Sequence, residues 1–212
     1  MRKEIIIFDL DGTLVDAYKA VASSLNFALK KTGFPAVDPA AIKRGVGWGD
    51  KNLIRRFVPL EYLDEALLIY RRHHKKALKT AKFLPGAKRV LGSLKKRGFR
   101  LAIASNRPAL FTKIILKNLK IAPLFDVVLC ADKVNRPKPA PDILREILKK
   151  FSVNPGAALY IGDMTIDVQT GKKAGVRTIA VLTGSSTRKE IAALKPFKIV
   201  NNIREILGIT RS

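Results

Sequence analysis

Ile5-Ile6-Ile7-Phe8-Asp9-Leu10-Asp11-Gly12-Thr13 places four apolar residues directly before two carboxylates and a glycine. A short apolar run of this kind is typical of a strand buried in a parallel sheet. Residues i and i+2 of an extended chain point to the same side, so Asp9 and Asp11 should face one pocket. Gly12 permits a sharp turn there. Two carboxylates so close repel each other unless they share a cation, which predicts a divalent metal.

The composition indicates one large domain, or a domain that carries a smaller insertion. The chain has 212 residues, of which 47% are hydrophobic. No apolar run approaches the roughly 18 residues that a membrane span requires, and the Ile5 to Phe8 run is too short for a secretory signal. We therefore expect a cytoplasmic protein without a membrane anchor. The single cysteine, Cys130, lies in an apolar run and is interpreted as a core residue.

A formal charge of +24 raises the question of a nucleic-acid partner. Positive charge is spread almost evenly along the chain, and no basic stripe carries interleaved aromatic residues of the kind that stack on single strands. Trp48 is the only tryptophan. The pattern favours a generally basic solvated surface. Attraction of small anionic substrates and nucleic-acid binding remain the alternatives.

Short apolar runs alternate with amphipathic stretches along the rest of the chain. This alternation predicts an α/β fold with a mostly parallel sheet and functional sites at the carboxyl ends of the strands. The predicted strands are Ile5 to Phe8, Leu101 to Ala104, Val127 to Cys130, Ala158 to Ile161, Thr178 to Val181, and Ile199-Val200. Two of the predicted helices carry the apolar positions Val90, Leu91 and Leu94, and Ile143, Leu144, Ile147 and Leu148.

One long interval breaks the alternation. Between Val15 and Leu84 no convincing strand is visible, and the apolar spacing predicts three or four helices. We therefore predict an α/β core from residues 1–14 and 85–212, with a helical cap at residues 15–84 inserted after the first motif. A helical unit joined to the core by two crossings next to the carboxylates can act as a lid.

Further polar groups follow two other predicted strands. Ser105 and Asn106 end one of them and could hold phosphate oxygens, or could simply cap the next helix. Asp163 and Asp167 follow another, in Gly162-Asp163-Met164-Thr165-Ile166-Asp167, as metal ligands or as an ordinary helix start. Lys138 lies in a proline-rich loop, where it could reach the sheet edge or remain solvated.

Together these motifs resemble those of the haloacid dehalogenase superfamily of phosphotransferases, in its phosphoglycolate phosphatase-like branch. The motifs are Asp9-Leu10-Asp11-Gly12-Thr13, Ser105-Asn106, Lys138-Pro139 and Gly162 to Asp167, in the family's order. The resemblance implies a Rossmann-like core with an inserted helical cap. Met164 departs from the serine or asparagine of many relatives. The superfamily's dehalogenases lack the second aspartate, so Asp11 favours phosphoryl transfer.

The resemblance also implies roles for these residues. Asp9 would be the nucleophile that forms an aspartyl-phosphate, and Asp11 the general acid and base. The implied magnesium ligands are Asp9, Asp11 through its carbonyl, and Asp163, with Asp167 in support. The implied catalytic set is Asp9, Asp11, Ser105 and Lys138, and the implied phosphate-binding set is Gly12, Thr13, Ser105, Asn106 and Lys138.

The cap carries fewer signals. In Lys43-Arg44-Gly45-Val46-Gly47-Trp48-Gly49, two cations could take a carboxylate and Trp48 could form a wall, so Lys43, Arg44 and Trp48 are candidate specificity residues. The alternative is a flexible turn with Trp48 as its core plug. His73 and His74 are adjacent and should face different sides of a helix, which argues against a metal site there.

The sequence thus predicts a magnesium-dependent phosphatase that hydrolyses a small phosphorylated metabolite, with phosphoglycolate as the first candidate. One alternative is a sugar phosphomutase of the β-phosphoglucomutase type, which would use the same motifs. Another is a nucleic-acid-associated protein or polynucleotide-end phosphatase, suggested only by the charge. The oligomeric state is left open.

Overall fold

A parallel sheet forms the centre of the molecule in the computed structural model, which describes residues 4–210. Within that range six strands lie in the order β5-β4-β1-β6-β7-β8, all parallel, and β2 and β3 form a separate antiparallel pair. The α/β fold class and the six predicted strand positions are confirmed. The strands are β1 (Ile5–Phe8), β2 (Val15–Asp16), β3 (Lys82–Phe83), β4 (Arg100–Ser105), β5 (Val127–Cys130), β6 (Ala158–Gly162), β7 (Arg177–Val181) and β8 (Lys198–Val200).

Helices cover the sheet and fill the interval before β3. They are α1 (Tyr18–Lys31), α2 (Pro39–Gly45), α3 (Asp50–Ile54), α4 (Leu63–Ala77), α5 (Ala87–Lys96), α6 (Ala109–Asn118), α7 (Asp142–Phe151), α8 (Thr165–Ala174), α9 (Arg188–Ala193) and α10 (Ile206–Ile209). The predicted apolar positions of α5 and α7 are all buried. Cys130 is buried as well, as expected of a core residue.

Strand β1 is buried on both faces because helices pack on both sides of the sheet. Ile5 and Ile7 join the cluster that includes α7, whereas Ile6 and Phe8 join the cluster that includes α5 and α6. This is the two-residue alternation expected of a strand. Asp9 follows β1 directly, at the edge where β4 and β6 also end.

The interval between β2 and β3 is helical, with a buried cluster of its own formed mainly by α1 and α4. The expectation that this interval contains no strand is wrong at its two ends. Val15 pairs with Phe83, and Asp16 with Lys82, in a two-residue ladder that joins the two chain crossings. Two residues are too few for the alternating pattern to be visible in the sequence.

The division into core and cap stays a prediction. Residues 1–3 and 211–212 of the predicted core lie outside the described residues. No helix among residues 4–210 is long and apolar enough to cross a membrane. The cytoplasmic location also stays a prediction.

Helix α4 provides a test of the packing between helices of the inserted segment. Leu67 is 8% exposed and belongs to their shared cluster, whereas its neighbour Leu68 is 51% exposed. We expect Leu67→Ala to lower the free energy of unfolding by about 2–5 kcal/mol, because it removes buried methyl groups and leaves a cavity. Leu68→Ala, the matched control, should change it by less than about 0.5 kcal/mol. Urea unfolding followed by circular dichroism measures both, and equal losses would contradict the packing described here.

Candidate active site

The carboxyl ends of β1, β4 and β6 bring polar side chains to one edge of the sheet. Beneath the inserted helices this edge opens into a pocket. Helices α1, α3 and α4 contribute to its walls, together with the loops after β1 and β4. Its lining residues are Asp9, Asp11, Val21, Val46, Gly47, Gly49, Asp50, Leu53, Tyr70, Ser105, Asn106, Arg107, Pro108 and Phe111.

Lys138 is buried beside this pocket, and the solvated alternative is wrong. Its Nζ donates to Asp9 Oδ1 at 2.8 Å, to Asp167 Oδ1 at 2.7 Å and to the Tyr160 hydroxyl at 3.0 Å. Tyr160 in turn donates to Asp167 Oδ1 at 2.6 Å. Burial alone would lower the pKa of the Lys138 ammonium, but Asp167 and Asp9 raise it above its usual value. Lys138 is therefore a permanent cation between two carboxylates.

Asp163 has one oxygen engaged and one without a partner. Thr13 Oγ1 donates to Asp163 Oδ1 at 2.8 Å. Asp163 Oδ2 is buried and makes no hydrogen bond within the described chain. A Cβ at Gly12 or at Gly184 would collide with this oxygen, so both glycines keep the space around it clear. A buried carboxylate oxygen without a donor is costly, so this oxygen is suited to bind a cation.

Three buried carboxylates converge at this point. Each of Asp9, Asp163 and Asp167 offers an oxygen, and these oxygens lie within 4.8 Å of one another. Burial raises the pKa of Asp9 to about 7, although Lys138 opposes the shift. Burial, followed by the charges of Asp9 and Asp167, also raises the pKa of Asp163 well above its usual value. Oxygen donors in this arrangement fit a divalent cation, which would favour their ionised forms.

Asp167 lies in the first turn of helix α8, as the helix-start interpretation expects, whereas its role at a metal stays a prediction. Its Oδ2 accepts from the backbone amides of Asp163 at 3.2 Å and of Met164 at 3.0 Å. Its Oδ1 is taken by Lys138 and Tyr160. With both oxygens engaged, Asp167 is better placed to support the cluster than to bind a cation alone.

The Asp11 carboxylate turns away from this cluster towards a cation that the sequence reasoning missed. Arg107 Nε donates to Asp11 Oδ2 at 2.7 Å, and Arg107 Nη2 donates to Asp11 Oδ1 at 2.9 Å. Arg107 Nη1 also lies 2.7 Å from His74 Nε2, on helix α4. Asp11 thus belongs to a second charged group, which links the pocket to the inserted helices.

The two histidines do not diverge as expected, because both contact Ser24. The Nδ1 atoms of His74 and His73 lie 3.0 Å and 3.1 Å from Ser24 Oγ. Arg107 can only donate, so His74 Nε2 must accept and His74 Nδ1 must carry the proton. Burial, reinforced by Arg107, lowers the pKa of His74 to about 3, so the ring is neutral. Ser24 donates to Ala20 O at 2.8 Å, which leaves its oxygen to accept from the rings.

Asn106 does not cap a helix, so the capping alternative is wrong. Helix α6 begins at Ala109, and the amide of Ala109 donates to Asp132 Oδ1 instead. Asn106 Oδ1 accepts from Lys138 N at 2.9 Å, and Asn106 Nδ2 donates to Lys138 O at 3.0 Å. The same Nδ2 reaches Gly47 O at 3.1 Å. Asn106 therefore holds the Lys138 backbone in place and connects it to the loop between α2 and α3.

The remaining predicted phosphate-binding groups lie around the same edge. Ser105 lines the pocket, and its Oγ accepts from Arg107 N at 3.2 Å. The Gly12 amide donates to Val15 O at 2.9 Å, and the Thr13 hydroxyl is used by Asp163. In this structure Gly12 and Thr13 therefore shape the carboxylate cluster.

Lys43, Arg44 and Trp48 are not brought to the pocket. Lys43 Nζ lies 4.7 Å from the centre of the Tyr18 ring, and Trp48 is 39% exposed, which rules out a core plug. Arg44 Nη2 reaches Glu190 Oε1 at 2.7 Å, and thereby ties α2 to α9. The loop itself does reach the pocket through Val46, Gly47 and Gly49. A Cβ at Gly47 would collide with Met164 Sδ, so a glycine is needed where this loop passes close to Met164.

Comparison with known proteins is consistent with this geometry. A family model for haloacid dehalogenase-like hydrolases matches residues 6–181. The chain belongs to this family.

Several known proteins resemble the chain over most of its length. A phosphoglycolate phosphatase from Aquifex aeolicus is 32% identical over 181 residues, which is 85% of each chain. Another, from Pseudomonas fluorescens, is 30% identical and covers 96% of this chain and 78% of its own. The crystal structure of a predicted phosphoglycolate phosphatase from Haemophilus somnus is 26% identical, with a TM-score of 0.94 over 100% of this chain and 99% of its own.

Three residues of this hydrolase site were missed by sequence reasoning. Tyr160 is the one residue with a hydroxyl in an otherwise apolar strand, and that was its only signal. Arg107 comes two residues after Ser105, where its charge could have been noticed. His74 was considered only as a metal ligand, since nothing in the sequence shows that it meets Arg107.

The two bonds between the Asn106 side chain and the Lys138 backbone lead to a prediction that has a control within the same chain. Asn26 makes the same pair of bonds to Val37, at 2.8 Å and 2.9 Å, far from the pocket. We expect Asn106→Ala and Asn26→Ala each to lower the free energy of unfolding by about 1–3 kcal/mol, because backbone groups lose their partners. Only Asn106→Ala should speed hydrogen exchange at the Lys138 amide. Unchanged protection of that amide in Asn106→Ala would contradict the proposed role of Asn106 in holding the Lys138 backbone.

Proposed function

We propose that this chain is a magnesium-dependent phosphatase that hydrolyses a small phosphate monoester through an aspartyl-phosphate on Asp9. Phosphoglycolate is the first candidate substrate, since relatives over most of the chain carry that name. One observation carries the proposal. Asp9 lies at the pocket with its Oδ1 held by Lys138, next to the unpartnered oxygen of Asp163.

The chemistry divides between Asp9 and Asp11. Asp9 Oδ2 attacks phosphorus while Oδ1 stays with Lys138, and the bond from phosphorus to the ester oxygen breaks. Asp11 gives its proton to that departing oxygen. A water then attacks the phosphorus, Asp11 takes the proton from the water, and the bond between phosphorus and Asp9 breaks. Inorganic phosphate leaves and both carboxylates return to their starting state.

Magnesium would be held by the carboxylates of Asp9 and Asp163, with the Asp11 carbonyl and Asp167 completing the set that the family resemblance implies. When bound, the ion neutralises negative charge on the transferring phosphoryl group. Ser105 and Lys138 supply a hydroxyl and a cation to the same oxygens. Thr13 and Asn106 would complete the proposed phosphate site through their backbone amides, whereas the Gly12 amide is engaged by Val15 O.

The inserted segment at residues 15–84 would act as the cap that closes the pocket. Its Val46, Gly47 and Tyr70 line the cavity over Asp9. The sugar phosphomutase and the nucleic-acid alternatives remain predictions from the sequence, and no described contact favours either. The proposed partner is a small phosphorylated metabolite.

The nucleophile assignment predicts the effect of one isosteric change. Asp9→Asn should reduce hydrolysis of p-nitrophenyl phosphate by roughly 1,000-fold or more, because an amide cannot form the covalent intermediate. The control is Asp38→Asn, at the exposed start of α2, which should keep wild-type turnover and an unchanged circular dichroism spectrum. Wild-type turnover by Asp9→Asn would refute the nucleophile.

The cation site predicts a metal requirement that can be measured in two ways. A chelator should stop hydrolysis, and added magnesium should restore it. Magnesium should also raise the thermal unfolding midpoint of the chelated wild-type protein, because it binds only the folded cluster. The midpoint of Asp163→Asn should not respond, whereas Asp38→Asn should behave as wild type. Full activity in chelator, or an equal thermal response in Asp163→Asn, would contradict the proposed site.

A further inference from the structure

Arg107 presents a fork of N–H donors inside the pocket, and this fork is filled by Asp11. The two bonds, at 2.7 Å and 2.9 Å, form a two-pronged carboxylate contact. Only 7% of the Arg107 side chain and 12% of the Asp11 side chain are exposed. A guanidinium in this geometry suits any carboxylate, whether it belongs to the protein or to a ligand.

The fork is fixed from the other side without a second negative charge. His74 accepts from Arg107 Nη1 at 2.7 Å, and its ring is locked by Ser24. Because this His74 ring is neutral, Arg107 has Asp11 as its one anionic hydrogen-bond partner among the described residues. The guanidinium therefore keeps its position if Asp11 leaves, but it then needs another anion.

The proposed reaction requires that Asp11 leave. Both of its oxygens accept from Arg107, whereas a general acid must direct an oxygen at the ester oxygen of the substrate. The pair between Asp11 and Arg107 is thus a resting arrangement, and some event in the catalytic cycle has to open it.

The pocket walls indicate what could open it. Of the described residues that line the pocket, Arg107 is the only cation. Val21, Val46 and Leu53 give the lining an apolar part. The anionic Asp50 at the rim is already paired with Arg71, at 2.7 Å and 3.1 Å. A second negative group on a substrate therefore finds one complementary partner, the fork of Arg107.

We propose that Arg107 determines specificity by binding a carboxylate on the leaving group, which replaces Asp11 in the fork and frees Asp11 to take a proton from solvent and pass it to the ester oxygen. The inference rests on the proposed phosphatase function. It assigns the substrate to phosphate esters of short hydroxy acids, because Asp11 must reach the ester oxygen from a position next to Arg107. When the leaving group carries no anion, Asp11 stays paired with Arg107.

Two substrates of matched size test the proposal in the wild-type enzyme. Phosphoglycolate and ethyl phosphate differ in that a carboxylate replaces a methyl group. We expect kcat/KM to favour phosphoglycolate by about 100-fold or more, because a site built for a polar group rejects its apolar analogue. The deficit of ethyl phosphate should appear in kcat as well as in KM, since Asp11 stays paired. Equal kcat/KM values for the two esters would overturn the inference.

Variants separate specificity from a merely structural role. Arg107→Met should cut the ratio of the two kcat/KM values to below about 10-fold, and Arg107→Lys should restore part of it. A structural role would lower both substrates equally and leave the ratio unchanged, which would also overturn the proposal. Arg100→Met is the matched control, because Arg100 pairs with Glu4 at the opposite end of β4 and should keep the wild-type ratio.

The two levels of the argument fail differently. If the proposed function is wrong, wild-type protein with magnesium will hydrolyse neither ester, or Asp9→Asn will hydrolyse them. If only the role of Arg107 is wrong, both esters will be hydrolysed through Asp9 without a preference for the carboxylate. Should Arg107→Met fail to fold, the wild-type comparison still decides.

Discussion

The ammonium of Lys138, buried between Asp9 and Asp167, is the interaction on which the site depends. It joins residues 129 and 29 positions apart in the chain. Burying a carboxylate without a counter-charge costs free energy. Removing this cation would leave the charges of Asp9 and Asp167 to repel each other, and Asp163 would lose the attraction of Lys138. Tyr160 and Asn106 both act through Lys138. The Tyr160 hydroxyl accepts from its ammonium, and the Asn106 side chain holds its backbone. The orientation of the Asp9 carboxylate follows from these contacts.

A division of labour between two cations follows. Lys138 accompanies the group that would attack phosphorus, and Arg107 accompanies the group that would move protons. Arg107 differs because it is also held by the inserted helices, through His74. Two more polar contacts cross the same boundary, from Asn106 to Gly47 and from Arg44 to Glu190. The inserted segment keeps its own apolar cluster, and Ala17, Ala20, Leu78 and Ala81 at its two ends join the cluster of the sheet. The polar contacts therefore add to an apolar attachment.

Much of this arrangement could be predicted from local pattern. The strands and the carboxylates that follow them are visible because buried parallel strands are short apolar runs and sites form at their ends. Side chains whose role depends on distant partners could not be found in this way. Arg107 and His74 are 33 residues apart in the chain. Lys43 and Arg44 were predicted to lie at the pocket, but the sequence does not show which partner an exposed cation will contact. Short strands such as β2 cannot be predicted in this way, because they are defined by pairing with a distant strand and are too short to show periodicity.

The position of β1 in the middle of the sheet has a consequence for biosynthesis. Its two neighbours, β4 and β6, begin at Arg100 and Ala158. A chain emerging from the ribosome therefore exposes β1 before either neighbour and cannot cover both edges of it until residues Ala158–Gly162 of β6 have been synthesised. Pairing across such sequence distances is slow, and incomplete chains expose a strand that can associate with others. The inserted helices contact one another locally and lie before β4 in the chain, so they can form before the central strand is paired on both edges.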